Sequence, residues 1–123
     1  MSLVLLVDDD EDQMCLRRMV LERDGHEVLT SAAPEDALKV FEDRSPALVV
    51  MDLRLPTAAH GLALIRKLRV LSVEVRIVVI SGWMEDLLHA PEVAMVDHCL
   101  RKPVGSQQML RAVKRLTGTS GEA

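Results

Sequence analysis

Ala47-Leu48-Val49-Val50-Met51-Asp52 decides how this chain reads. Five apolar residues run without polar alternation and end on one carboxylate, and Leu53-Arg54-Leu55-Pro56 follows as a loop. So short an unbroken apolar run is the pattern of a strand buried on both faces, as in parallel sheets. An acid at the carboxyl end of such a strand stands where open α/β sheets hold their ligands. Taken alone, Asp52 fits equally well as a residue that caps a loop amide.

Three further candidate strands lie around it. Leu3 to Val7 ends on Asp8-Asp9-Asp10-Glu11-Asp12, Val75 to Ile80 ends on Ser81-Gly82, and His98 to Arg101 leads into Lys102-Pro103. His26 to Thr30 is a further short strand. Helical spacing fills the gaps. Leu16, Met19 and Val20 mark one face after the acidic run, whose Asp10, Glu11 and Asp12 suit a helix N-terminus, and Gly25 stands in C-cap position. Pro34 opens a helix that turns Ala37, Leu38 and Phe41 inward. Gly61 opens another, faced by Leu64, Ile65, Leu68 and Leu71. Met84, Leu87 and Leu88 start a helix that Pro91 interrupts, and Met109, Leu110, Val113 and Leu116 line the last one. Strand and helix alternate five times, which predicts a five-stranded parallel α/β sheet with helices on both faces.

Composition bounds the rest. The 123 residues suffice for one core and not two. We expect one domain over 1–123, with its core at about 3–116 and a polar tail at 117–123. With 49% apolar residues and only Phe41 and Trp83 as aromatics, the core is aliphatic. A net charge of −4 without a basic stripe argues against direct contact with nucleic acid. No apolar run approaches the ~18 residues of a membrane span. Cys15 and Cys99 match no metal or disulfide spacing and read as reduced thiols of a cytoplasmic protein. His26, His60, His89 and His98 are scattered and read as structural or solvated.

The polar strand ends then gain meaning. Asp8, Asp9, Asp52, Ser81 and Lys102 all close strands at one edge of the sheet. Two carboxylates ~4 Å apart repel by about 4 kcal/mol at an effective dielectric near 20. Such a cluster calls for a cation, and oxygen-only ligands suit magnesium. A phosphoryl group is its natural companion, since the metal, Lys102 and Ser81 would each take an oxygen.

Val7-Asp8-Asp9, Met51-Asp52 followed by Pro56, Ser81-Gly82 and Lys102-Pro103, in this order and on these strand ends, resemble the receiver (CheY-like) domain of two-component response regulators. The resemblance spans about Leu3 to Leu116. It implies a flavodoxin-like, doubly wound sheet in the strand order 2-1-3-4-5. It also implies a phosphoacceptor: Asp52 would take a phosphoryl group from a phosphohistidine on a sensor histidine kinase or histidine phosphotransfer protein. Mg2+ would be held by Asp9, Asp52 and the Arg54 backbone carbonyl, with Asp8 acting through a water. Lys102 would pair with the carboxylate or phosphoryl group, and Ser81 would move to meet a phosphoryl oxygen, carrying the Gly82-Trp83 loop. The Lys102–Pro103 peptide is expected to be cis, both from the resemblance and to aim the ammonium at Asp52. Such a protein catalyses only its own phosphoryl transfer and slow dephosphorylation, and signals to a downstream protein partner that the sequence does not identify.

The chain departs from the family pattern in three places. Cys99 stands where an aromatic residue usually reports the phosphorylated state. Pro91 and Met95-Val96 shorten or bend the fourth helix. The Pro56–Gly61 loop is one residue longer than the common one. Arg54 and Trp83 flank the site, Trp83 either as a lid or as a cover over the core. Two other functional readings are open. One is a pseudo-receiver that only binds partners. The other is a phosphatase of the haloacid dehalogenase type, with Asp8 as nucleophile and Asp10 as its acid.

Overall fold

Residues 2–118 are described by the computed structural model. Five strands, β1 (Leu3–Val7), β2 (Glu27–Ser31), β3 (Leu48–Asp52), β4 (Arg76–Ser81) and β5 (His98–Arg101), form one parallel sheet in the order β2-β1-β3-β4-β5. The order is the one expected. The apolar run that set the reading is its centre: every residue of β3 is buried. Alternate strand residues divide the core. Leu5, Val7, Val49, Met51, Ile77 and Val79 face one side, and Val4, Leu6, Leu48, Val50, Val78 and Ile80 face the other.

Helices cover both sides: α1 (Glu11–Arg23), α2 (Pro34–Arg44), α3 (Ala58–Leu71), α4 (Glu85–Leu88) and α5 (Ser106–Thr117), with a 3-10 helix at Pro91–Met95. Ala37 and Phe41 of α2 and Leu64, Ile65 and Leu68 of α3 pack on the first side; Leu21 of α1 and Met109, Ala112 and Val113 of α5 pack on the second. Asp10 caps α1, accepting from the amides of Asp12 (3.0 Å) and Gln13 (3.2 Å), and Gly25 follows that helix at φ +96°, a left-handed conformation suited to glycine. The expected break at Pro91 is present, and α4 is a single turn.

Two helix faces differ from expectation. In α1, Leu16 and Met19 are more than half exposed, while Arg17 and Leu21 are buried and Met14 and Val20 partly so. The face is rotated because a charged residue takes an inward position and finds a partner there. In α3, Leu71 is exposed at the last turn. Gly61 lies within the first turn of α3 rather than opening it. A Cβ there would stand 1.8 Å from the Leu53 carbonyl oxygen, so its lack of side chain lets the helix press on the loop after β3. The tail expected at 117–123 lies outside the described residues from 119 on.

Candidate functional site at the carboxyl edge of the sheet

The parallel register brings four strand ends level. Val7 pairs with Met51, Asp52 with Ile80 and Ser81 with Arg101, so Asp8, Asp52, Ser81 and Lys102 emerge at one edge. Lys102 donates its amide to the Ser81 carbonyl at 3.0 Å, and Leu53 donates to Ile80 at 3.2 Å, which prolongs the ladder to the site itself.

Asp52 and Lys102, fifty residues apart, meet here. Lys102 Nζ lies 2.5 Å from Asp52 Oδ2, while Asp52 Oδ1 accepts the Arg54 amide at 3.2 Å. Asp52 is 7% exposed. A carboxylate so buried needs such partners, because an unpaired charge there is costly. Asp8 is more deeply buried, and both its oxygens are engaged. Oδ1 accepts the Asp10 amide at 2.9 Å, and Oδ2 accepts from Arg17 Nη1 at 2.6 Å. Burial pushes the Asp8 carboxyl above the ordinary carboxylate value. The Asp10 amide works against this, the Asp52 charge adds to it, and the Arg17 and Lys102 charges oppose it.

The remaining expected residues are spread around this pair. Asp9 is exposed and makes no hydrogen bond or ion pair among the described residues. Ser81 is buried, and its hydroxyl accepts the Trp83 amide at 3.0 Å, which closes the Ser81–Trp83 turn. Trp83 is 57% exposed and joins neither side of the core. The Arg54 guanidinium lies over its ring at 5.1 Å from the centroid, and the same group binds Asp86 at 2.8 Å. Cys99 is half-buried against the first side of the core, and burial raises its thiol pKa. The Lys102–Pro103 peptide is cis, as is Leu55–Pro56, which the sequence did not flag.

The donor types suit a hard cation: carboxylates of Asp52 and Asp9, and the Arg54 carbonyl, which accepts no hydrogen bond among the described residues. Asp8, with both oxygens committed, fits an indirect role. Among the described residues, no three His, Cys, Asp or Glu side chains are already gathered around a metal position. The residue that sequence reasoning missed is Arg17. Its one signal was position: it lies three residues after Met14 and four before Leu21, on an otherwise apolar line.

Comparison with known proteins agrees with this geometry. The profile of the response regulator receiver domain matches residues 4–114. The alkaline phosphatase synthesis transcriptional regulatory protein PhoP of Bacillus subtilis is 39% identical over 66 residues, which is 54% of this chain and 27% of that protein. The chain thus spans under a third of the length of the first curated relatives it matches. The receiver domain of NtrX from Brucella abortus superposes with a TM-score of 0.85 at 29% identity, covering 95% of this chain and 99% of that one. TrrA from Thermotoga maritima, solved in complex with Mg2+–BeF, superposes with a TM-score of 0.85 over 94% of this chain and 99% of its own; at 24% identity it shows the fold alone. Sheet order, strand-end chemistry and the match over nearly the whole chain together make this protein a member of the response regulator receiver domain family.

Proposed function

We propose that this chain is a phosphoacceptor of two-component signalling and that Asp52 is its nucleophile. The observation that carries the reading is the contact of Lys102 Nζ with Asp52 Oδ2 at 2.5 Å, at the buried end of the central strand. One Asp52 oxygen attacks the phosphorus of a phosphohistidine on a partner kinase or phosphotransfer protein. The new O–P bond forms as the P–N bond breaks, and the imidazole leaves with the electron pair and takes a proton. Lys102 then follows the charge from carboxylate to phosphoryl oxygen. Ser81 releases the Trp83 amide and donates its hydroxyl to a second oxygen, which shifts the 82–84 turn. Asp9, Asp52 and the Arg54 carbonyl would hold Mg2+, with Asp8 acting through water. Magnesium there supplies neutralisation of the transferring charge. We place the exchange in the cytoplasm, with a downstream protein as the reader of the phosphorylated surface. Besides this transfer we assign it slow dephosphorylation of Asp52.

The phosphatase reading needs Asp10 as a mobile acid, whereas Asp10 caps α1 through two amides. The pseudo-receiver reading draws support from the half-buried Cys99, too small to sweep an output surface as an aromatic would. One experiment separates the two remaining readings. Incubation with a small phosphodonor and magnesium should add one phosphoryl group by intact mass, and Asp52→Asn should add none. Equal labelling of parent and variant would remove Asp52 from the role, and no labelling of the parent would leave the pseudo-receiver.

A further inference from the structure

Arg17 is the element of the acid pocket that the function above does not use. It lies on the inward line of α1 between the partly buried Met14 and the fully buried Leu21, where an apolar side chain would complete the packing. Its guanidinium instead reaches Asp8 Oδ2 at 2.6 Å, with the two side chains 10% and 3% exposed. A second cation therefore stands at the sheet edge beside Lys102. The two buried carboxylates, Asp8 and Asp52, each meet a positive charge, from Arg17 and Lys102 respectively. A buried guanidinium keeps its charge under all ordinary conditions, and at low dielectric its field extends over the neighbouring carboxylates.

We infer that Arg17 is a resident counter-cation of the phosphoacceptor pocket: it compensates Asp8 permanently and so lessens the pocket's demand for magnesium. This rests on the proposed function, and it sets the metal dependence of that same site. With an apolar residue at 17, Asp8 would keep only the Asp10 amide and the Lys102 charge, and a divalent ion would be its strongest neutralising partner. With Arg17 in place, the pocket holds together metal-free, and an entering ion meets one more positive charge. Arg17 touches no reacting atom; it is a positioning residue that acts through Asp8.

The test is a magnesium titration without any phosphodonor, followed by calorimetry and by the melting temperature of the full chain. Arg17→Met should bind magnesium about ten-fold more tightly than the parent. In chelator it should melt well below the parent, and magnesium should restore much of the difference, because binding to the folded state alone stabilises it. Arg17→Lys keeps the charge and should stay within about three-fold of the parent affinity. If Arg17→Met folds only with magnesium, the dependence of its melting temperature on magnesium gives the same affinity. Equal affinity of parent, Met and Lys forms would reduce Arg17 to a packing pair and overturn the inference, leaving Asp52 labelling intact. Absence of magnesium binding in all three would overturn both the inference and the metal reading beneath it.

Discussion

At the residue scale, the glycine most tightly constrained among those described is Gly61. Any side chain there meets the Leu53 carbonyl, which is backbone and has nowhere to go. Gly61→Ala should cost about 3 kcal/mol or more by chemical denaturation, the range of severe overpacking. It should also impair phosphoryl uptake, because Leu53 adjoins Asp52. His26 makes a different prediction. Its buried Nδ1 has no hydrogen-bond partner among the described residues, and burial lowers its pKa from 6.5 while Asp24 pulls it back. The unfolded chain then takes the proton first. Stability should be full above pH 6.5 and decline as the pH falls below it. His26→Leu should flatten part of that slope in melting curves; the remainder belongs to His98, whose pKa is lowered by burial and by Arg115. Of these residues, Asp52, Ser81 and Lys102 were legible because strand ends are easy to find and their chemistry is distinctive. Arg17 was not. A hydrophobicity pattern scores arginine as solvent-facing, yet its stem packs like an aliphatic chain and its head needs only one buried acid.

At the element scale, the same residue explains why α1 turns a different face inward from the one its apolar spacing predicts. Leu16 and Met19 outvoted Met14 and Leu21 by spacing alone, and nothing local signalled that Asp8 would hold position 17 inward. The connection from β4 to β5 follows its sequence pattern, since Pro91 forbids a continuous helix. Its order comes from outside. Arg69 of α3 donates to the carbonyls of Met95 (2.7 Å) and Val75 (2.6 Å) and to Asp97 (3.1 Å), and Arg66 binds the buried Glu92. A one-turn helix has little stability of its own, so these tethers set how freely the segment moves. Arg69→Met should lower stability by about 2–3 kcal/mol. Amide exchange over 91–97 should speed up more than that of β3. If Cys99 gives β5 little leverage, Cys99→Tyr should leave phosphoryl uptake near the parent level and alter partner affinity, as titration of both phosphorylation states with a bound partner would show.

At the scale of the whole molecule, alternation of strand and helix was enough to predict a parallel sheet. The spatial order of its strands came from the family resemblance, because buried apolar runs such as Leu3–Val7 and Leu48–Asp52 carry no mark of their neighbours. That order has a consequence for manufacture. β1 is made before the strands it pairs with, yet it is an interior strand, flanked by β2 on one edge and β3 on the other. Its second edge stays bare until Leu48–Asp52 is made, and β3 in turn waits for Arg76–Ser81. From the synthesis of β1 until β4 is made, the growing chain carries apolar strands with open hydrogen-bonding edges, a state prone to association. Nascent fragments that stop before residue 76 should therefore be found with holding chaperones or in aggregates, and fragments that include β5 and α5 should be released folded.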